Sequence, residues 1–158
     1  MTEETVSATT TISTSAEAVF AVLADPTRHA AIDGTGWVSE SIDDQRLTAP
    51  GQIFRMAMYH PGHPDGRYEM ANQVLAFEPS RAISWKPGYA SPETGQLEFG
   101  GWTWRYDLTE LGPGETKVTL SYDWSAVGPG PRQHIQFPPF APDHLGNSLG
   151  HLAAIVAR

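Results

Sequence analysis

The amino-acid sequence predicts an α+β fold in which a curved antiparallel sheet of about six or seven strands wraps around a long C-terminal helix. Two observations carry this prediction. Residues 37–124 consist of strand patterns separated by short turn signals, and strands joined by short turns pair antiparallel. Residues 143–158 carry one amphipathic helical pattern, and a twisted sheet can curl around a single helix.

A first strand and two short helices are predicted ahead of this sheet. Residues 4–12 are rich in threonine and alternate weakly, which is typical of a strand. Thr14 and Glu17 have the spacing of a capping box, which begins a helix with an apolar face. Asp25 and Pro26 suit the N-cap and the first position of a second short helix.

Six further strands follow in the middle of the chain. We predict them at residues 37–42, 51–60, 67–77, 82–86, 99–111 and 115–126. Asp65 and Gly66 form a hairpin turn signal between the second and third of these strands. The segment 87–95 is rich in Gly, Pro and Ser, and we expect a loop there.

The last helix is predicted at residues 143–158, with an apolar stripe formed by Leu145, Leu149, Leu152 and Val156. The preceding segment, 127–142, is dense in proline and glycine. Long connections without regular structure tend to be functional, so we expect this segment to form a cavity mouth with Phe137 and Phe140 as its apolar lips. The alternative is that its prolines only stiffen a crossover.

Length, charge and composition restrict the class of protein. The 158 residues suit one domain, residues 1–158, that can bury a sizeable core. A net charge of −8 argues against binding to nucleic acid or to anionic membrane surfaces. The absence of cysteine excludes disulfides and thiolate ligands. The acidic N-terminus and the lack of a long apolar run predict a cytoplasmic protein without membrane insertion.

Large rings are concentrated on one face of the predicted sheet. Twelve of the sixteen aromatic residues lie between Phe54 and Trp124, and most occupy alternate strand positions. A concave sheet face lined with such rings favours a pocket for a hydrophobic molecule, although the same rings could fill a closed core. The predicted ligand-binding residues are Phe54, Met56, Met58, Tyr68, Met70, Asn72, Trp85, Trp102, Trp104, Tyr106, Tyr122, Trp124, His144, Leu145, Ser148, Leu149 and Leu152.

The chain also resembles the START-like, helix-grip superfamily (SRPBCC), in its polyketide cyclase/dehydrase and lipid-transport branch. The segments that carry the resemblance are residues 15–29, 74–79, 83–85, 104–108 and 122–125. The order of elements matches over essentially the whole chain. The resemblance implies a single ligand-binding domain with a deep apolar cavity under the C-terminal helix. It implies no activity and carries no catalytic motif to a position in this sequence.

We therefore expect a binder of a small hydrophobic molecule, either a lipid or a polyketide-like or polycyclic compound. The alternative is a cyclase or dehydratase whose acid–base groups come from tyrosine, asparagine or histidine. The candidate catalytic side chains are Tyr68, Asn72, Tyr106 and Tyr122. Hydrogen bonds from these groups to the backbone or to water are the simpler interpretation. We expect no cofactor, and either a monomer or a homodimer.

The remaining histidines do not predict a metal site. His60 and His63 lie in a Pro/Gly turn with Asp65 as the nearby third candidate, and we interpret the segment as a hairpin loop. His29 is assigned to the second short helix rather than to a site. Motifs for dinucleotide binding, P-loop phosphate binding, serine hydrolases and zinc proteases are absent from the sequence.

Overall fold

The computed structural model describes residues 4–33, 38–42, 45–59, 67–90, 96–129, 133 and 143–156. The strands are β1 (Thr5–Ile12), β2 (Val38–Ser41), β3 (Ile53–Tyr59), β4 (Arg67–Glu78), β5 (Ala82–Ala90), β6 (Leu97–Phe99), β7 (Thr103–Gly112) and β8 (Glu115–Asp123). The helices are α1 (Ala16–Leu23), α2 (His29–Asp33) and α3 (His144–Val156), and a 3-10 turn at Pro26–Arg28 precedes α2.

All strands belong to one antiparallel sheet. Its spatial order is β1-β8-β7-β5-β4-β3-β2, and the short strand β6 pairs with β5 off this path. β1 and β2 form the two edges, so the sheet is curved but unclosed. Helix α3 packs against β1 and α2. The predicted fold class is confirmed, with seven strands along the path and the short helices directly after β1.

The beginnings of the first two helices follow from side-chain caps. The first helix is capped by Ser15, whose Oγ accepts from the backbone N–H of Ala18 at 3.2 Å. The predicted capping box starting at Thr14 is therefore wrong by one residue, because the chain leaves β1 in extended geometry through Ser15. Asp25 caps the second helical segment with Pro26 at its first position, as predicted.

Two predicted strands differ from the structure by more than their end residues. Strand β5 continues through Pro87 to Ala90, where a loop was predicted. Pro87 falls between the part of β5 that pairs with β7 and the part that pairs with β6, so its missing N–H interrupts no ladder on that side. The predicted strand 99–111 is broken at Gly101, whose φ of 100° favours glycine. A Cβ there would lie 2.5 Å from the carbonyl oxygen of Ala126.

The cross-strand register places the predicted pocket side chains on one face. Trp85 lies opposite Trp104, and Trp104 lies opposite Tyr122. Towards the β2 edge of the sheet, Phe54 on β3 lies opposite Asn72 on β4. Directly opposite residues point to the same face, so these paired side chains share one surface, as the alternation in the sequence predicts.

One polar side chain on the face opposite the rings is buried. Alternation along β5 places Ser84 on that face, and it is buried there. It lies between its register partners Ala76 on β4 and Arg105 on β7. Ser84 therefore belongs to an inner part of the sheet, where its small side chain is shielded by the strands on both sides.

Helix α3 buries its predicted apolar stripe. Leu145, Leu149 and Leu152 are all buried in the main core, and Val156 is partly buried at the helix end. Full burial of each leucine stabilises the fold by about 1.5–3 kcal/mol. Among the helices that the structure describes, none combines the length and the apolar character needed to span a bilayer.

Candidate functional site

The concave face has two ends that differ in how completely their side chains are buried. The closed end is covered by α1 over β5 and β7 and by α3 over β8, and its side chains are at most 6 % exposed: Ile83, Tyr106, Leu108, Val118 and Leu120. The open end lies towards the end of β3 at Tyr59 and the start of β4 at Arg67. It keeps large side chains partly exposed: Met58, Tyr68, Met70, Trp85 and Trp104. Large apolar groups are therefore packed at one end of the same surface and accessible at the other.

A row of aromatic rings crosses the face at the boundary between these ends. The ring centroids of Trp85 and Tyr106 lie 6.1 Å apart, and those of Trp104 and Tyr122 lie 4.6 Å apart. Trp85 and Trp104 are register partners on adjacent strands, which joins the two pairs. Ring pairs at such separations attract each other beyond simple burial, so the row forms a stiff aromatic floor.

The corner between α1 and α2 positions the start of α2 over this floor. Asp25 accepts from the backbone N–H of Thr27 at 3.1 Å and from its hydroxyl at 2.6 Å. Arg46 approaches the Asp25 carboxylate at 3.7 Å and donates to the carbonyl of Ala21 at 2.9 Å. Burial raises the pKa of Asp25, but the hydrogen bonds from Thr27 and the charges of Arg46 and Arg28 outweigh it. The pKa of Asp25 is therefore lowered, and its side chain remains an anion. The next residue after this braced turn is His29.

His29 reaches the concave face from α2. Its ring stacks on Trp85 at 5.1 Å with an interplanar angle of 17°, and meets Phe54 edge-on at 5.6 Å. Its Nε2 lies 2.9 Å from the carbonyl oxygen of Leu23. Burial lowers its pKa below the ordinary 6.5, although Asp25 and the Leu23 carbonyl act in the opposite sense. His29 belongs to the short helix, as predicted. It is also a candidate site residue, which the sequence alone does not indicate.

Helix α3 approaches the floor from the other side. His144, on the predicted flank of the pocket, is 8 % exposed, and its ring meets Trp104 edge-on at 6.1 Å. Ser148 is buried one turn further along α3. His151 Nδ1 lies 3.2 Å from the carbonyl oxygen of Ile32 and so joins α3 to α2. The two helices thus present one histidine each to adjacent tryptophans of the sheet.

Trp102 and Trp124 lie in a second cluster that shares Trp104 and Tyr122 with this floor. Tyr122, Trp124 and Val127 are buried together, with Trp102 and Trp104 packed against them. The centroids of Tyr122 and Trp124 lie 5.8 Å apart. Trp104 also packs against the main core, so it connects this cluster to the open end.

The four candidate acid–base residues do not gather at one point. Tyr68 and Asn72 lie on β4, Tyr106 on β7 and Tyr122 on β8. Strand β5 separates β4 from β7, which places about 10 Å between those two strands. Asn72 is buried, and its Nδ2 donates to the carbonyl of Phe54 at 3.4 Å. Burial raises the pKa of Tyr122, so its phenol stays protonated at neutral pH.

Several predicted features fall outside the described residues. They are the hairpin loop with His60, His63 and Asp65, and the apolar lips Phe137 and Phe140. These remain predictions. Within the described part of the chain, no three side chains of the His, Cys, Asp and Glu types are placed to hold a metal ion.

A polar groove of about 550 Å³ lies away from the aromatic floor, where α1 begins. Its lining includes Ser15, Glu17, Arg81 and Glu110. Glu110 Oε1 already lies 3.4 Å from the backbone nitrogen of Ala16. Because that carboxylate lies at the helix N-terminus, the groove offers no vacant anion site there.

Residues 13–155 match the model of the family described as "Activator of Hsp90 ATPase homolog 1-like protein" (AHSA1). Over 123 residues the chain is 29 % identical to the uncharacterized protein Rv0088 of Mycobacterium tuberculosis. The matched segment covers 78 % of this chain and 49 % of that protein. The chain therefore spans about half the length of the curated relatives it matches.

Solved structures show the same fold. The protein Ms6760 of Mycobacterium smegmatis has a TM-score of 0.67 at 17 % identity, over 98 % of this chain and 91 % of that one. A protein of Arthrobacter aurescens has a TM-score of 0.69 at 15 % identity, over 98 % and 86 %. The family match and these folds confirm a helix-grip domain, a fold of a ligand-binding kind. The polyketide cyclase and lipid-transport branch stays a prediction.

Proposed function

The chain belongs to the Activator of Hsp90 ATPase homolog 1-like family, and on that premise we propose that it binds a small hydrophobic molecule at the open end of its concave face. The ligand lies between the sheet and helices α2 and α3. One observation carries the proposal: large apolar side chains on the concave face are partly exposed at the open end, whereas those at the closed end are buried.

The energetic argument concerns the five side chains of the open end. Complete burial of a large apolar side chain contributes about 1.5–3 kcal/mol relative to exposure, and only part of that is realised for each of these residues. A ligand that covers them gains the remainder. The rings supply flat, rigid contact area, so little conformational entropy is lost when the ligand binds.

The lining favours a flat, ring-containing ligand of the polyketide-like or polycyclic class over an acyl chain. Trp85 and Trp104 form a continuous aromatic surface on adjacent strands. Met58 and Met70 flank it on β3 and β4, and flexible thioether side chains adapt to ligands of varied shape.

Binding without chemistry is better supported than the cyclase or dehydratase alternative. An acid–base mechanism needs its groups within about 3 Å of one reacting centre, or one water away. Asn72 and Tyr106 instead lie on strands separated by β5. The amide of Asn72 is engaged by the carbonyl of Phe54, and burial raises the pKa of Tyr122, which disfavours a role as a general base.

Native mass spectrometry of freshly purified protein, followed by solvent extraction, tests whether a small molecule co-purifies. A matched pair of β4 variants then locates it. Met70→Ala removes an open-end side chain, whereas Leu75→Ala removes an exposed one on the same strand outside the open end. We expect affinity to fall only for Met70→Ala. Equal affinities in both variants, or no ligand at all, would contradict binding at the open end and favour a role in contacting other proteins.

A further inference from the structure

The imidazole of His29 is held in one tautomer by the carbonyl of Leu23. Nε2 lies 2.9 Å from that oxygen. A carbonyl oxygen has no hydrogen to donate, so Nε2 must carry the proton and Nδ1 must be the lone-pair acceptor. Leu23 is the last residue of α1, and carbonyls in the last turn of a helix need donors from outside it. The structural role of His29 is thus fulfilled by Nε2 alone.

The second ring nitrogen remains available. Among the residues that the structure describes, no group makes a hydrogen bond to Nδ1 of His29. Within that same part of the chain, no side-chain nitrogen or oxygen is both sealed from solvent and unbonded. Nδ1 must therefore reach accessible space. His29 as a whole is only 8 % exposed, so this access is narrow.

The His29 ring adjoins the open end. The His29 ring stacks on Trp85, one of the partly exposed open-end rings, and meets Phe54 at its edge. We propose that Nδ1 of His29 accepts a hydrogen bond from a hydroxyl group of the bound ligand, so that the site selects flat hydrophobic molecules with a phenol or enol donor. This inference rests on the proposed function, and it names the ligand class more narrowly.

The selectivity follows from the chemistry of a lone acceptor in apolar surroundings. A ligand hydroxyl satisfies Nδ1 when water is displaced, whereas an ether oxygen would place one lone pair against another. A ligand without a donor would leave Nδ1 buried and unpaired. One net hydrogen bond corresponds to about a fivefold difference in affinity.

A two-ligand, two-protein comparison tests the assignment by isothermal titration calorimetry. The probes are 2-naphthol and 2-methoxynaphthalene, which share the ring system but differ in the donor. We expect the preference for 2-naphthol over the methyl ether to fall about fivefold from wild type to His29→Phe, because one hydrogen bond is lost. Asn147→Ala, at an exposed position of α3, serves as the control and should keep the wild-type preference.

Wild-type protein with ¹⁵N-labelled histidine gives a second measurement in case His29→Phe does not fold. The Nδ1 resonance should be that of an unprotonated nitrogen and should move with 2-naphthol but not with its methyl ether. Protonation at Nδ1, or equal shifts with both probes, would overturn this inference while leaving the binding site intact. Failure of both probes to bind would overturn the proposed site together with it.

Discussion

The two ends of the concave face are built from similar residues but differ in how well they are covered. At the closed end, Ile83 on β5 and Val118 on β8 are 0 % exposed, where α1 packs on β5 and α3 packs on β8. At the open end, Trp85 and Trp104 are partly exposed, and each meets one histidine ring from α2 or α3. The difference shows that apolar residues on one sheet face can serve stability at one end and binding at the other.

The largest expected effect comes from truncating a closed-end side chain. Leu120→Ala should lower the free energy of unfolding by about 2–5 kcal/mol, because Leu120 is 1 % exposed and its loss leaves a cavity. Met58→Ala at the open end should cost less than about 1 kcal/mol, since the side chain is only partly buried. Urea denaturation of both variants measures this contrast, and equal losses would remove the distinction between the ends.

The second expected effect concerns the helix that covers the closed end. Ser15→Ala removes the N-cap of α1 and should lower the unfolding free energy by about 1 kcal/mol. Thr14→Ala is the matched control, because the hydroxyl that caps the helix belongs to Ser15. Affinity for 2-naphthol should be unchanged in both. A larger loss for Thr14→Ala than for Ser15→Ala would restore the capping box predicted from the sequence.

The third expected effect is a pH dependence of the unfolding free energy that arises from His29. Burial lowers the pKa of His29 below 6.5, so the unfolded chain binds the proton more readily than the folded one. The contribution of His29 to stability is complete above pH 6.5 and is lost as the pH falls towards the lowered folded-state pKa. In wild type, the unfolding midpoint should decrease as the pH is lowered through this window.

His29→Gln should flatten that slope, because a glutamine does not titrate while its amide can still donate to the Leu23 carbonyl. The comparison is made on chemical denaturation curves at several pH values. If the variant kept the full wild-type slope, the titrating group would lie elsewhere and His29 would not be held neutral by its surroundings.

The smallest expected effect comes from breaking an exposed ion pair. Arg55 approaches Glu69 at 3.6 Å, but both side chains are about half exposed. Solvent and salt screen such a pair, so Glu69→Gln should change the unfolding free energy by less than about 1 kcal/mol. Ligand affinity should not change. A strong effect on binding would show that the site extends beyond the open end.

The order of elements and the composition of the concave face could be predicted from the sequence because both are local properties. A period of two assigns each strand residue to a face wherever the strand falls, and a hydrophobic stripe identifies α3 in the same way. The break at Gly101 is marked in the sequence by a Gly-Gly pair, although the predicted strand 99–111 runs through it.

The role of His29 could not be predicted because it depends on tertiary structure. Its ring position requires the α1–α2 corner to bring α2 over Trp85 and Phe54. Its tautomer depends on the Leu23 carbonyl, six residues earlier in the chain. Conversely, the four polar candidates share a face by alternation, but alternation says nothing about distance between strands. The sheet order separates Asn72 from Tyr106.

Methyl NMR during titration with 2-naphthol tests the difference between the two ends most directly. Labelled methionine, leucine and valine methyl groups report on both ends in one experiment. We expect the resonances of Met58 and Met70 to move with ligand concentration, while those of Leu108 and Val118 stay fixed. Shifts confined to Leu108 and Val118, or no shift at saturating ligand, would contradict a binding site at the open end.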